Sequence, residues 1–225
     1  MEFIDQLANV IYSKEGIERA NEYISSRGIN PDQLEFPCAY TDHVEARFWR
    51  FKEKYPPYLF TNSLYIPIVD IMDSKRLIGF DIRYNGNSDK RTKWYKLKRN
   101  EGDTLIYNFE EFKKNLEKPI LVVESALDVE TIRGLGLEVT CISFLTAMSN
   151  LNSILFLYAM SEKVYYMYDN DSSGSSAISR ILKNISFNTD VMKNFTFISY
   201  RGGDPNDAIN VFGSEYLKNA IEAQI

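Results

Sequence analysis

Six carboxylates set the chemistry open to this chain of 225 residues. The run VYYMYDNDSSGSSA, residues 164–177, is apolar and aromatic until it meets two aspartates one residue apart, Asp169 and Asp171. ILVVE closes an apolar run on Glu124, with Asp128 four residues later, and FTFISY leads into RGGDPNDAI, which carries Asp204 and Asp207. Acids gathered in one place repel unless cations lie among them. Hard oxygen donors with no soft ligand nearby suit Mg2+ or Mn2+, ions usually shared with substrate phosphates. Two such ions about 4 Å apart stabilise the attacking and leaving oxygens of a phosphoryl transfer.

Each acid also has an ordinary explanation. Asp204 before Pro205, with Asp207 at the third helical position, is what a helix start favours. Glu124 before Ser125 suits a solvated strand end. DNDSSG mimics a calcium loop, with Asp169, Asp171 and Ser173 at positions 1, 3 and 5 and Gly174 at 6. Position 12 is then Arg180, where such a loop needs a bidentate Glu, and a strand precedes it in place of a helix. The calcium reading is excluded.

A second chemistry lies in the basic residues. KRTKWYKLKR, residues 90–99, holds six of them around Trp94 and Tyr95, and RFWRFKEK follows the same style at 47–54. Cations interleaved with aromatics suit a polyanion that also offers bases for stacking. A solvated hairpin with snorkelling lysines explains the same pattern and stays open. The net charge of −5 argues against a protein that simply coats DNA, but the charge is uneven. Residues 1–118 carry 19 basic and 19 acidic side chains, and residues 119–225 carry 7 and 12. Cys38 and Cys141 each stand alone, which excludes a zinc ribbon and argues against a disulfide framework. Cys38 and His43 are two ligands at most, so no zinc is expected.

The elements that must position these residues change character along the chain. SKEGIERANEYISSRG reads as a helix capped by Ser13 and stopped by Gly28, and a second helix is expected from Thr41 or Asp42 to Pro56. SLYIPIVD and RLIGFDIRY read as a hairpin across IMDSK, followed by short strands at WYKLK and TLIYN. From Pro119, short apolar strands alternate with helices: ILVVE, SALDVETIRGLG, LEVTCIS, SNLNSILFLYAM, KVYYMYD, a helix from about Ser173 to Lys183, and FTFISY. That alternation predicts a parallel sheet flanked by helices, whose site lies beyond the carboxyl ends of its strands. Glu124, Asp169 with Asp171, and Asp204 with Asp207 then reach one edge, and Asp128 faces it from one helical turn away. The expected division is a mixed α+β basic part, residues 1–118, and an α/β part, residues 119–225.

No stretch is long and apolar enough to span a bilayer, and the start MEFIDQLANV lacks the basic-then-apolar form of a secretory signal. A cytoplasmic protein without membrane partners is expected.

An apolar strand ending in Glu124, a second ending in the DxDxxG of residues 169–174, and the later Asp204-Pro205 together resemble the Toprim domain of primases, topoisomerases and some nucleases. SLYIPIVDIMDSKRLIGFDIRY, TKWYKLKR and TLIYNF resemble the segments that precede Toprim in DnaG-type bacterial and phage primases. The resemblance covers about residues 13–212. It implies a DNA-dependent RNA polymerase that makes short primers on single-stranded DNA from ribonucleoside triphosphates. Glu124, Asp169 and Asp171 would be catalytic, holding Mg2+ (or Mn2+) with Asp128, Asp204 and Asp207. Arg83 and Lys93, with Tyr95, Lys96, Lys98 and Arg99, would face nucleotide and template. The family's zinc-ribbon and helicase parts would come from separate proteins, and the composition suits a phage protein working in its host's cytoplasm.

Two departures keep other readings open. Ser125 stands where the family usually has Gly, and DPND replaces DPD. A Toprim nuclease or topoisomerase-like enzyme would cleave DNA without nucleotides. A catalytically inactive Toprim protein would bind nucleic acid and do nothing more.

Overall fold

The structure is a computed structural model that describes residues 3–42, 60–73, 75–86, 94–100, 105–145, 151–161, 163–186, 193 and 195–225. It forms two compact units, Met1–Leu105 and Ile106–Ile225.

Among its described residues the first unit holds an antiparallel sheet and two α-helices. Helix α1 (Phe3–Ile11) turns Ile4, Leu7 and Ile11 inward, and α2 (Lys14–Ser26) starts at Ser13, whose hydroxyl accepts the Gly16 N–H at 3.0 Å. The chain leaves α2 through Gly28 at φ +76°, a left-handed conformation that glycine adopts without steric cost. Strands β1 (Ala39–Thr41), β2 (Ser63–Val69), β3 (Leu77–Tyr84) and β4 (Trp94–Lys98) pair in that order, each antiparallel to the next. Ile4, Leu7 and Ile11 pack on Ala39, Phe60, Tyr65, Phe80, Ile82 and Leu97. Tyr65 and Phe80 meet edge to face at 5.8 Å, and each buried ring of this kind stabilises the fold by about 1.5–3 kcal/mol. Thr41 ends a strand instead of capping a helix, and the rest of the expected helix over residues 41–56 lies outside the described residues, as do His43 and the cluster at 47–54.

The second unit is the parallel sheet. Strands β5 (Ile120–Val123), β6 (Thr140–Ser143), β7 (Val164–Met167) and β8 (Phe195–Phe197) stand in the order β6-β5-β7-β8, all parallel. Their continuous apolar runs are what two covered faces require. Helices α4 (Ala126–Arg133), α5 (Leu151–Met160) and α6 (Ser172–Ile185) fill the crossovers, and α7 (Pro205–Phe212) and α8 (Ser214–Glu222) follow β8. FTFISY is a strand only over its first three residues; Ile198, Ser199 and Tyr200 form a loop.

The unit begins earlier than the change of composition at residue 118. The described part of TLIYN, residues 105–108, is not a strand: Tyr107 makes one isolated bridge to Ser143, Asn108 turns at φ +64°, and α3 (Phe109–Lys114) begins. Buried polar contacts tie this segment to α4. The Tyr107 hydroxyl donates to Glu130 at 2.8 Å, Arg133 pairs with Glu130 and with Glu111 at 2.9 Å each, and the Asn108 amide donates to the Cys141 carbonyl. Burial pushes the Glu130 carboxyl up, against the opposing pull of Arg133 and Tyr107.

Candidate metal and nucleic-acid site

The acids take their places from the strands that precede them. Strand β5 ends at Val123, so Glu124 is the first residue past the sheet, and the next, Ser125, caps α4. Ser125 and Asp128 form a reciprocal capping box: Asp128 Oδ2 accepts from the Ser125 N–H at 3.0 Å and its hydroxyl at 2.6 Å, and Ser125 Oγ accepts the Asp128 N–H. From β6, the buried Ser143 hydroxyl donates to the Glu124 carbonyl at 2.8 Å and accepts the Leu145 N–H at 2.8 Å. Glu124 is thus fixed by its backbone on two sides.

Asp169 and Asp171 follow β7. Asp171 caps α6, accepting the Gly174 N–H at 2.8 Å. Gly174 is required here because a Cβ would lie 2.0 Å from the Asp169 carbonyl oxygen. Asp204 caps α7 in the same way, accepting the Asp207 N–H at 2.6 Å, with Pro205 at the first helical position. The exposed Asp207 lays its carboxylate against Gly203, where a Cβ would approach it to 2.8 Å.

Electrostatics bind these positions into one cluster. Burial, reinforced by the charges of Asp128, Glu124, Asp204 and Asp171, pushes the Asp169 carboxyl up from 3.8 to about 8. The Tyr200 hydroxyl beside them is pushed up by burial and by Asp169, Asp128, Asp204 and Glu124. A hard divalent cation matches a donor set of this kind, since it offsets both the burial and the mutual repulsion that raise the Asp169 carboxyl. Among the described residues, however, no three His, Cys, Asp or Glu side chains already stand as a metal cage. The caps give a physical reason: Asp128, Asp171 and Asp204 each commit an oxygen to a backbone N–H.

The basic candidates lie in the first unit, and strand alternation sorts them. Tyr95 stands opposite Ile82 and packs against the α1 core. Trp94, Lys96 and Lys98 stand opposite Arg83, Asp81 and Gly79 on the other face, with the Arg83 guanidinium 5.1 Å from the Trp94 ring centre. Arg99 is engaged within the fold, pairing with Asp5 at 2.6 and 3.2 Å and donating to the Leu77 carbonyl. Lys93 lies outside the described residues.

Sequence reasoning passed over Ser143, Asn170 and Tyr200. Nothing in their types announces a role, since each acts through a partner distant in sequence. The capping box was readable as Ser-x-x-Asp.

Residues 121–209 match a family described as Toprim-like. A curated DNA primase of Aquifex aeolicus (strain VF5) is 28% identical over 231 residues, covering 91% of this chain and 45% of its own length. The chain therefore spans less than half of that relative. The E. coli primase catalytic core superposes with a TM-score of 0.72 at 19% identity, covering 100% of this chain and 79% of that one. A DnaG primase catalytic domain bound to ssDNA gives 0.71 at 18% identity, covering 99% and 80%. The fold is that of the DnaG-type primase catalytic core, and the Toprim-like match lies in its second unit.

Proposed function

We propose that this chain, built on the DnaG-type primase catalytic fold, is a DNA primase that joins ribonucleotides into short primers on a single-stranded DNA template. One observation carries the reading. Burial, and then the acids that follow three adjacent parallel strands, raise the Asp169 carboxyl, in a chain that aligns with a curated DNA primase over 91% of its length.

Glu124, Asp169 and Asp171 are the residues that would hold Mg2+ or Mn2+, with Asp204 beside them. When bound, such an ion screens the phosphate charge and lowers the cost of forming the attacking alkoxide. The chain itself supplies placement. Ser143 fixes the Glu124 backbone, the capping box fixes the start of α4, and Gly174 lets α6 begin directly against the Asp169 carbonyl. Arg83, Lys96 and Lys98 are the proposed contacts for nucleotide and template phosphates, and Trp94 for a base. Lys93, Tyr95 and Arg99 belong to the same tract, but the packing of Tyr95 and the pairing of Arg99 favour a supporting role. The division of labour is then template and nucleotide binding in the first unit and chemistry in the second. A separate replicative helicase or zinc-ribbon protein is the proposed partner in template selection. Among the described residues no helix is long and apolar enough to cross a membrane, and work on DNA fits the cytoplasm.

The test is primer synthesis on mixed single-stranded DNA templates with labelled ribonucleotides and Mg2+ or Mn2+, beside Asp169→Ala. Template-dependent oligoribonucleotides that vanish in the variant are expected. DNA cleavage without nucleotides would mark a nuclease. Single-strand binding without product, unchanged in the variant, would mark a binding protein.

A further inference from the structure

We propose that Asn170, the residue between the two aspartates, is a positioning residue that sets the affinity of the acidic cluster for a divalent cation. The inference rests on the metal reading above and deepens it.

Two loops bring the acids together, one after β7 with Asp169 and Asp171 and one after β8 with Asp204. The ladder between these strands ends where the Ile198 N–H donates to the Tyr166 carbonyl at 2.8 Å. Beyond it no strand pairing keeps the two acidic loops in register, while the charges of Asp171 and Asp204 both act on the Asp169 carboxyl. Asn170 links the two loops twice. Its backbone N–H donates to the Gly203 carbonyl at 2.7 Å, and its side-chain Nδ2 donates to the Tyr200 carbonyl at 2.5 Å. The Tyr200 hydroxyl also donates to the Gly203 carbonyl, at 3.2 Å, so the segment is closed on itself.

The far side of the loop is held as well. Gln224 clasps Ser199, accepting its N–H at 2.9 Å and donating to its carbonyl at 2.8 Å, and the Arg201 N–H donates to the Tyr216 hydroxyl at 2.9 Å. These contacts fix the loop against α8, and Asn170 alone of these side chains fixes it against the Asp169–Asp171 loop. The chemistry of an amide suits the place. It donates a hydrogen bond without adding charge to a cluster already crowded with carboxylates. Alanine keeps the backbone bond and loses the amide; glycine loses it and frees the loop further.

Mn2+ binding to the metal-free full chain, followed by electron paramagnetic resonance, tests this without any dependence on catalysis. Asn170→Ala should bind about tenfold more weakly, the size of effect that supporting partners of metal ligands usually have, and Asn170→Gly more weakly still. Thermal unfolding of the metal-free proteins should change little. If Asn170→Ala does not fold, Asn170→Ser, which keeps a shorter donor, takes its place with the same expectation. A variant that binds Mn2+ within twofold of the wild type overturns the proposal and leaves the metal site standing. A wild-type chain that binds no Mn2+ overturns both. Mn2+ binding that depends on Asn170 in a chain that makes no primers supports the staple and sinks the polymerase reading alone.

Discussion

The Asp128 carboxylate accepts both the backbone N–H and the hydroxyl of Ser125, at 3.0 and 2.6 Å, so one acid of the cluster also caps the helix that follows Glu124. Structural and electrostatic roles meet in one side chain. Ser125→Ala removes the cap and should cost about 0.5–2 kcal/mol, whereas Ser125→Gly should cost only a few tenths. Urea unfolding of both variants beside the wild type measures the losses, and a Ser125→Ala protein as stable as the wild type would show that the hydroxyl does not matter.

Asp169 gives the metal-free protein a distinctive pH dependence. Its folded carboxyl titrates at about 8 against 3.8 for an ordinary one, so between those values the native state binds more protons than the unfolded chain. Stability should therefore fall as pH rises through that window. Asp169→Asn should flatten the slope and be the more stable protein at pH 8 in EDTA, and added Mn2+ should restore the wild type. Unfolding curves in EDTA from pH 5.5 to 8.5 check the sign; stability that rises with pH in that range would contradict it.

Gly174 is a steric requirement. A methyl group there meets the Asp169 carbonyl oxygen at 2.0 Å, a backbone atom that can yield only by moving the aspartate. Gly174→Ala should destabilise the protein by about 1–3 kcal/mol and weaken Mn2+ binding at the same time. A variant with wild-type unfolding and metal affinity would show that the loop relaxes freely.

The basic tract should separate into two classes. Lys96→Gln and Lys98→Gln should each lower the salt dependence of single-stranded DNA binding, by about 0.7 in the slope of log K against log salt. Arg99→Gln should leave that slope unchanged and instead lower stability by about 1–3 kcal/mol, since it breaks a charge-assisted pair with Asp5. Fluorescence anisotropy titrations across salt, with unfolding curves alongside, distinguish the two. An Arg99 variant that alters the slope without losing stability would return that residue to the interface.

The strands of the parallel sheet and the acids that follow them were legible in the chain's local pattern. Continuous apolar runs such as ILVV and VYYM, each ending in an acid, are local patterns, and parallel strands bring their carboxyl ends to one edge whatever the loops do. Ser13 and Asp204 were legible as caps because a cap depends on residues three positions away. Other features depend on partners far apart in the chain. Tyr107 left its expected strand because Glu130 and Ser143 give its hydroxyl and backbone their hydrogen bonds. Tyr95 and Arg99 turned inward because α1 placed an apolar face and Asp5 against β4 and its end. Asn170 acquired a role because Tyr200 and Gly203, some thirty residues on, present their carbonyls to it. Local pattern fixes which atoms are available, but a hydrogen bond or a buried face is completed only when the fold brings its other half.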